Sequence, residues 1–435
     1  MNPRSPDEVM ELARERPGRD LNAMWERLER NGGCERPIRL RAAGADSPSA
    51  REPDGVLLVA CKTRRESRCR PCSAIYRGDA RQLVRAGIGG GKGVPESVRR
   101  HAAVFVTLTA PSFGAVHRAV GVPCHLGPPG RCEHGRPRHC VRHHDEREEV
   151  VGSALCPDCY DYEAAVVFNA TVGELWRRVV IYARRHLAYG LGVTEERLKK
   201  RVRLSYVKVA ELQRRGVVHL HAVVRADALA DELEPAPFEV TREALAEAFA
   251  RAASVVFAKR EAGGRLLRVV FGEQLRIDPL DASGVPGIAS YLAKYTTKEA
   301  SGSGALDHRL RVGEIEELEI PEHVRRIVEA AWELGGSEGE ERFRRWAHAL
   351  GFSGHVLTKS RRYSTTFSCL RAERQAWRLC ADGEAAPSGG GWTWSFMGTG
   401  YRKEIDWLLA QSVAEARREE RYAKWLELST REPTS

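Results

Sequence analysis

The sequence lacks any long run of apolar residues. No stretch of its 435 residues approaches the roughly 18 consecutive apolar side chains that a membrane-spanning helix needs. The opening residues, Met1 to Pro6, are polar and do not resemble a secretory signal peptide. We therefore expect a cytoplasmic protein with no membrane contact.

A complete nucleotide-binding loop is also absent. The glycine-rich stretch from Gly87 to Gly93 contains a lysine. A P-loop, however, needs glycine where Ala86 stands and serine or threonine where Gly93 stands. The sequence therefore predicts no nucleotide cofactor, and we interpret the stretch as a flexible connection.

Acidic residues are too few to balance the basic ones. Lysine and arginine number 69 against 59 acidic residues, which gives a net charge of +10 and a pI near 9.1. Residues 62–100 hold eleven basic and three acidic side chains, and residues 344–378 hold eight basic and one acidic. Basic patches interleaved with aromatic residues are typical of surfaces that bind nucleic-acid phosphates, and two solvated surfaces are the alternative. The candidate DNA-binding residues are Arg344, Arg345, Lys359, Arg361 and Arg362.

The length of the chain favours two or three domains. Composition divides it into a helical N-terminal region over residues 1–60, a basic Cys-rich segment over 61–100 and a central region over 101–300. The central region carries a Cys/His-rich insertion over 121–160. A linker and a basic, mostly helical region follow over 301–435.

A histidine pair lies on a predicted β-hairpin. Strands are expected from Arg203 to Leu212 and from Val217 to Arg225, joined by a short turn. Because side chains alternate along a strand, His219 and His221 project from the same face. Two imidazoles on a rigid strand can bind a divalent cation. The alternative is a structural pair, since this pattern arises easily by chance among fourteen histidines.

Glu211 lies across the hairpin turn from the histidines. Its carboxylate could supply a third metal ligand while leaving coordination positions open for a phosphate. The face on which Glu211 lies depends on the register of the turn. A salt bridge to Arg214 or Arg215 is the alternative role.

A regular tyrosine–lysine pattern follows between Ile288 and Lys298. If this segment is helical, its two tyrosines and two lysines share one stripe, with Leu292 and Ala293 on the buried side. A solvent-facing polar stripe is the alternative. The four residues are Tyr291, Lys294, Tyr295 and Lys298.

These tyrosines are candidate nucleophiles. A neutral tyrosine hydroxyl, which titrates near about pH 10, is a poor nucleophile. A divalent ion on the scissile phosphate and a nearby lysine would both favour attack by the phenolate. Attack would leave a 5′-phosphotyrosine and a free 3′-hydroxyl, and two tyrosines one helical turn apart can alternate in this role.

The cysteines are grouped, which in a reducing compartment favours metal binding over disulfides. Cys61, Cys69 and Cys72 form one group that Cys34 or a later residue could complete, and Cys156 and Cys159 form a second pair. We expect one or two structural zinc ions, with the pairing open and unpaired thiols as the alternative. The other candidate ligands are Cys124, Cys132, Cys140, His125, His134, His139, His143 and His144. Cys369 and Cys380 are isolated and are expected to be buried or inert.

Three segments in chain order resemble the HUH superfamily of rolling-circle replication initiators. They are Phe105 to Thr109, Glu211 to His221 and Tyr291 to Lys298. Conjugative relaxases, by contrast, place the tyrosine first. The resemblance implies an α+β protein with the HUH endonuclease fold, in which helices flank a central antiparallel sheet. It also implies Mg²⁺ or Mn²⁺ at the histidines.

Five segments carry a closer resemblance: Cys61 to Arg65, Thr109 to Gly114, Leu155 to Tyr162, Arg345 to Phe352 and Thr358 to Thr366. They resemble the RepSA type of initiators from actinobacterial plasmids and integrative elements. The similarity covers about residues 60–380 and implies an origin-DNA substrate. By analogy with related initiators, Tyr295 aligns with the principal nucleophile and Tyr291 with the residue of the terminating cleavage.

The sequence therefore predicts a metal-dependent DNA nicking and joining enzyme that initiates replication. No helicase motor is visible, so a host helicase and polymerase are the expected partners. Two other functions are open: a two-tyrosine single-strand transposase, and a zinc-dependent DNA-binding regulator without catalysis.

Overall fold

The computed structural model describes the chain except residues 1–20, 45–46, 51, 53, 120–122, 231–232, 282–283, 298–305, 307, 383–391 and 431–435. Two compact units are distinguished: Met1–Gly78 with Glu373–Ser435, and Asp79–Ala372. The four-part division expected from composition stays a prediction. None of the described helices is long and apolar enough to cross a membrane.

The described residues form a mixed α/β protein. Its helices are α1 (Leu21–Arg30), α2 (Arg70–Gly89), α3 (Tyr162–Gly190), α4 (Glu195–Lys199), α5 (Arg242–Val255), α6 (Val285–Tyr295), α7 (Glu322–Leu334), α8 (Arg342–Arg345), α9 (Phe367–Asp382) and α10 (Glu404–Thr430). Its strands are β1 (Ile38–Ala42), β2 (Leu57–Val59), β3 (Ala103–Leu108), β4 (Val202–Leu212), β5 (Val218–Ala228), β6 (Ala258–Ala262), β7 (Arg265–Val269), β8 (Leu275–Pro279), β9 (Leu357–Lys359) and β10 (Trp394–Thr399).

The larger unit is built on a five-stranded antiparallel sheet with the order β8-β3-β5-β4-β9. Consecutive residues of β4 and β5 point to opposite faces and nearly all of them are buried, so both faces of the sheet are covered. The predicted hairpin is confirmed as β4 and β5, and the antiparallel character of the sheet is confirmed with it. The third sheet, a two-stranded hairpin of β6 and β7, also belongs to this unit.

One face of the central sheet carries the main core. Residues such as Val104, Leu220 and Val224 pack there against apolar residues of α3, α5 and α7. Helix α3 is 29 residues long and crosses this face of the sheet. It begins where the carboxylate of Asp161 accepts a hydrogen bond from the backbone N–H of Ala164 (2.9 Å), which is an N-cap interaction.

The opposite face packs against α2 and α6. Val207, Val209 and Val223 lie there with Leu83 of α2 and Leu292 of α6. The odd-numbered residues of β4 and β5 point to this side. The histidine pair and Glu211 therefore share the face of the sheet that α6 covers.

The smaller unit contains a three-stranded antiparallel sheet, β10-β1-β2. Its small core joins Leu28 of α1 to Ile405, Leu409 and Val413 of α10. The C-terminal region was expected to be mostly helical, but it contributes β9 to the central sheet and β10 to this one. These strands are short and lack a clear alternation of apolar and polar residues, so no local pattern predicts them.

The glycine-rich stretch is only partly a connection. Gly87 and Gly89 belong to α2, and the chain turns only at Gly90 to Val94. The prediction of a flexible link is therefore wrong for the first half. Gly87 is needed because the buried ring of Tyr363 packs directly on its Cα, where a Cβ would clash.

We expect Gly87→Ala to lower the free energy of unfolding by about 1–3 kcal/mol, the usual cost of overpacking a core. The matched control is Gly78→Ala in the same helix, where nothing lies within 4 Å of an added Cβ. That change should leave stability unaltered or raise it by up to about 1 kcal/mol. Denaturant titration of both variants would measure this, and equal stabilities would contradict the packing argument.

Candidate active site and metal-binding clusters

The β4–β5 hairpin places Glu211 directly opposite His219. The turn closes with hydrogen bonds from the N–H of Gln213 to the carbonyl of Val217 (3.0 Å) and from the N–H of Gly216 to the carbonyl of Gln213 (2.9 Å). Gly216 has a positive φ of 74°, which glycine adopts without strain. This register puts Glu211 on the same face as both histidines.

His221 is the centre of the site. It is only 2% exposed, and its Nε2 lies 3.3 Å from Oε2 of Glu211. Its Nδ1 lies 3.2 Å from the hydroxyl of Thr107 on β3, so the other side of the ring is also held. Thr107 was not among the predicted site residues, although it lies in the segment Phe105 to Thr109 that carries part of the resemblance.

His219 is the immediate neighbour of His221, with ring centroids 4.5 Å apart. Its Nδ1 lies 3.4 Å from Nε2 of Gln213. Among the described residues, the groups whose ligand atoms all lie within 4.8 Å of one another do not include Glu211, His219 and His221 together. The structure thus brings Glu211 and His221 into direct contact and places His219 beside them. An imidazole nitrogen and a carboxylate oxygen are ligand types that divalent cations take in proteins.

Helix α6 brings both tyrosines to His221. The ring of Tyr295 stacks on His221 at 5.2 Å with an interplanar angle of 22°. Tyr291 meets His221 edge-on at 5.2 Å and Tyr295 edge-on at 4.9 Å. Tyr291 is 42% exposed, so it is open to solvent, whereas Tyr295 is half-buried.

The helical stripe is shorter than the pattern indicated. Helix α6 ends at Tyr295, and the buried Thr296 and Thr297 follow it. Leu292 and Ala293 are buried, as expected. Lys294 is exposed, with its Nζ 5.9 Å from the ring centroid of Tyr295. Lys298 lies outside the described residues.

The surroundings of Tyr295 keep its hydroxyl neutral. Burial raises the pKa of Tyr295, and a hydrogen bond with Tyr291 and the charge of Glu211 raise it further. Without an added positive charge, this phenol is therefore a weaker nucleophile than one in water.

In the part of the chain that the structure describes, three groups of Cys and His side chains can each hold a metal ion, and within each group the four ligand atoms all lie within 4.8 Å of one another. The four-cysteine cluster is Cys34, Cys61, Cys69 and Cys72; cluster A is His117, Cys124, Cys140 and His144; cluster B is Cys132, His134, Cys156 and Cys159.

These clusters change the expected metal count and ligand sets. The described residues form three candidate sites, whereas one or two zinc ions were expected, and Cys34 completes the first site. His117 was missed because a single histidine seven residues before Cys124 carries no local signature. His134 and His144 are in clusters, whereas His125, His139 and His143 belong to none of the three. Cys369 was expected to be buried or inert; it is exposed, so only the second alternative stays a prediction, and the side chain of Cys380 lies outside the described residues.

The distances within the clusters fit tetrahedral coordination. Metal–ligand bonds of about 2.3 Å to sulfur and about 2.0 Å to nitrogen imply ligand–ligand separations of roughly 3.3–3.8 Å. The two sulfurs of Cys34 and Cys69 are 3.8 Å apart. In cluster A, Nδ1 of His117 lies 3.6 Å from Sγ of Cys124, and Sγ of Cys140 lies 3.4 Å from Nε2 of His144. In cluster B, Nδ1 of His134 lies 3.3 Å from Sγ of Cys159 and 3.8 Å from Sγ of Cys156.

The predicted DNA-binding residues fall into two kinds. The guanidinium of Arg344 stacks on Trp332 and donates to its carbonyl (2.9 Å), and Lys359 is half-buried and donates to neighbouring carbonyls. Arg345, Arg361 and Arg362 are exposed. The segment that leads to Arg361 and Arg362 begins with β9, in which Leu357 pairs with Val209 of β4, and Val209 pairs in turn with His221 of β5.

Two phenols against an imidazole–carboxylate pair, with exposed arginines on a neighbouring segment, suit a protein that acts on the phosphates of DNA. Over residues 20–415 the chain matches the RepSA family, described as "Replication initiator protein, pSAM2". It is 39% identical over 389 residues to a replication initiator protein of Streptomyces ambofaciens, covering 83% of this chain and 81% of that protein. The chain therefore belongs to the RepSA family of replication initiators, and the expected resemblance is confirmed over a wider span. No solved structure matches the chain.

Proposed function

We propose that the protein starts rolling-circle replication of a plasmid or integrative element by nicking and later rejoining one strand of its origin DNA. The contact of Tyr291 and Tyr295 with His221, which itself contacts Glu211, carries this proposal. Membership of the RepSA family supplies the replication context.

The proposed reaction is a transesterification. The hydroxyl of a tyrosine attacks the phosphorus atom of one phosphodiester, and a new P–O bond to the phenol forms. The bond to the 3′-oxygen breaks, and that oxygen takes up a proton. The product is a 5′-phosphotyrosine with a free 3′-hydroxyl, so the reverse reaction rejoins DNA without a nucleotide cofactor.

We assign Glu211, His219 and His221 to the binding of Mg²⁺ or Mn²⁺. When bound, such an ion polarises the phosphate and favours ionisation of a nearby phenol. The stacked rings of His221 and Tyr295 orient that phenol, and Thr107 holds the imidazole from behind. Lys294 and Lys298 would add positive charge for the developing oxyanion.

The two tyrosines are assigned different steps. Tyr295, packed face to face on His221, would make the initiating cleavage, and the more exposed Tyr291 would make the terminating one. Their ring centroids are 4.9 Å apart, so one can hold a DNA end while the other cleaves. A host helicase and polymerase would extend the free 3′-hydroxyl.

The proposal extends to the fold, to the metal of the three clusters and to the arginines that contact DNA. The order of β3, the histidine hairpin and the tyrosine helix around an antiparallel sheet supports an HUH endonuclease fold. Cysteine-rich donor sets of tetrahedral size support zinc as the metal of the three clusters. Arg345, Arg361 and Arg362 would contact the DNA backbone, with Lys359 and Arg344 supporting the segments that carry them.

The test is a nicking assay on supercoiled origin DNA with Mg²⁺ or Mn²⁺. We expect wild type to nick it and His219→Ala to lose metal-stimulated nicking while keeping origin binding. Loss of an imidazole ligand should cost at least about 10–100-fold in metal affinity or activity, the scale known for groups that merely support metal ligands. The matched control is His186→Ala on α3, which packs on the other face of the sheet and should nick like wild type.

The outcomes separate the alternatives. Origin binding without nicking under any divalent metal would favour a DNA-binding regulator. Cleavage confined to single-stranded hairpins at the ends of an element, with strand transfer, would favour a transposase. Loss of folding in His219→Ala would indicate a structural histidine.

A further inference from the structure

The ligands of clusters A and B alternate along the chain. His117 and Cys124 belong to A, and the next pair, Cys132 and His134, belongs to B. The chain then returns to A with Cys140 and His144 and ends in B with Cys156 and Cys159. The segment that joins the two ligand pairs of each cluster contains a ligand pair of the other cluster. The two clusters are therefore cross-braced.

The residues between the ligands contribute little apolar core. Leu126 and Val141 are 78% and 70% exposed, and the backbone is tied mainly by isolated bridges such as His125 to Cys140 and Val116 to Ala154. A segment of this kind depends on its ligand clusters to hold one conformation, because bound metal supplies folding free energy directly.

Cluster A is connected to the tip of the β4–β5 hairpin through Glu148. The carboxylate of Glu148 accepts a hydrogen bond from Nδ1 of His144 (2.8 Å), leaving Nε2 for the cluster. The guanidinium of Arg214 donates to the backbone carbonyls of Glu146 and Glu148 (3.0 Å for the latter). Gly152 lies against the backbone of Arg214 so closely that a Cβ would come within 2.6 Å of it.

Cluster B is connected to Arg215, which follows Arg214 in the same hairpin turn. Tyr160, directly after Cys159, donates from its hydroxyl to the carbonyl of Arg215 (3.4 Å). Nε2 of His323 donates to the same carbonyl (3.2 Å). The side chain of Arg215 donates in turn to the carbonyls of Ala110 (3.0 Å) and Pro111 (3.1 Å), which follow β3.

We propose that residues 117–159 form a cross-braced two-metal module that clamps the turn between β4 and β5 and so fixes Glu211 relative to His219. Arg214 is the positioning residue of this clamp. The functional consequence rests on the proposed role of Glu211 and His219, whereas the clamp itself does not.

The experiment measures zinc per chain and amide hydrogen exchange of residues 205–225 in the full-length protein without DNA. We expect Cys140→Ser, in cluster A, to lose the zinc of both A and B, keep the zinc of the four-cysteine cluster, and exchange faster at the hairpin turn. The control is Cys369→Ser, an exposed cysteine in none of the clusters, which should match wild type. Loss of a single zinc by Cys140→Ser, or unchanged exchange at the turn, would overturn the proposal.

Arg214→Ala is a second test, which does not depend on unfolding of the two-metal module. It should keep all the zinc, speed exchange at the turn, and weaken Mn²⁺ binding by about 10-fold, as lost supporting contacts do at metal sites. Unchanged exchange and unchanged Mn²⁺ affinity would overturn its positioning role. If the proposed nicking function is wrong, the zinc content and the hydrogen exchange still test whether residues 117–159 clamp the turn.

Discussion

Replacing both Tyr291 and Tyr295 with phenylalanine should abolish the covalent link between protein and the 5′ end of origin DNA. Phenylalanine keeps the rings that pack on His221 and removes only the hydroxyls, so origin binding should be retained. Loss of a nucleophile typically lowers cleavage by on the order of 10³-fold or more. The measurement is a 5′-phosphotyrosine adduct on a labelled single-stranded origin oligonucleotide, resolved on a denaturing gel.

The single variants assign the steps. Tyr295→Phe should lose the adduct of the first cleavage, whereas Tyr291→Phe should form it and fail in the terminating cleavage. Tyr189→Phe on α3 is the matched control, because its ring is 82% exposed and α3 covers the other face of the sheet. An adduct that persists in the double variant would show that neither tyrosine is the nucleophile.

Local periodicity was sufficient to predict the hairpin and the face on which its histidines lie. Because side chains two residues apart on a strand point to the same face, His219 and His221 share a face whatever the position of the strand in the sheet. The position of Glu211 depends on the length of the turn, and only the strand register, which pairs Glu211 with His219, defines that length. Thr107 lies more than a hundred residues away from its partner His221, and no local pattern indicates such a contact.

The cysteine clusters illustrate the same limit. The spacing of Cys69 with Cys72, and of Cys156 with Cys159, predicted half of a site each time, since two ligands from one turn are a local feature. Which other residues complete each site is decided by how distant segments cross. The alternation of clusters A and B is a property of that crossing, and a linear pairing of neighbours would have been wrong.

The basic patches were recognised from composition, which does not indicate the contacts that each arginine makes. Arg344 and Arg361 look alike in sequence and both are exposed, yet Arg344 lies over the ring of Trp332 and donates to its carbonyl. The end of α6 at Tyr295 was also missed. The hydroxyls of Thr296 and Thr297 bond to carbonyls of the last helical turn, competing with continuation of the helix.

Asp227→Asn should lower the free energy of unfolding by about 3–5 kcal/mol, because it leaves a buried arginine without its counter-charge. Asp227 and Arg225 on β5 are fully buried, and the carboxylate accepts two hydrogen bonds from that guanidinium (2.6 and 3.0 Å). It also lies 2.7 Å from Nδ1 of His101. The rest of the guanidinium bonds to the carbonyl of Gly87 and lies over the ring of Tyr363, so the network joins β5 to α2.

The chain holds a matched exposed pair in Arg276 and Asp278, also two residues apart on one strand with a 2.7 Å contact. Because both groups are solvated, Asp278→Asn should cost no more than about 1 kcal/mol.

Burial would raise the pKa of Asp227, but hydrogen bonds from His101 and Arg225 more than offset it, so the pKa lies below its usual range. A lowered carboxyl pKa contributes stability that is complete above the ordinary value and is lost as the pH falls through the folded-state value. The difference in the free energy of unfolding between wild type and Asp227→Asn should therefore be largest near neutral pH and become smaller in acid. Equal costs for Asp227→Asn and Asp278→Asn at neutral pH would show that the buried network is not a major source of stability.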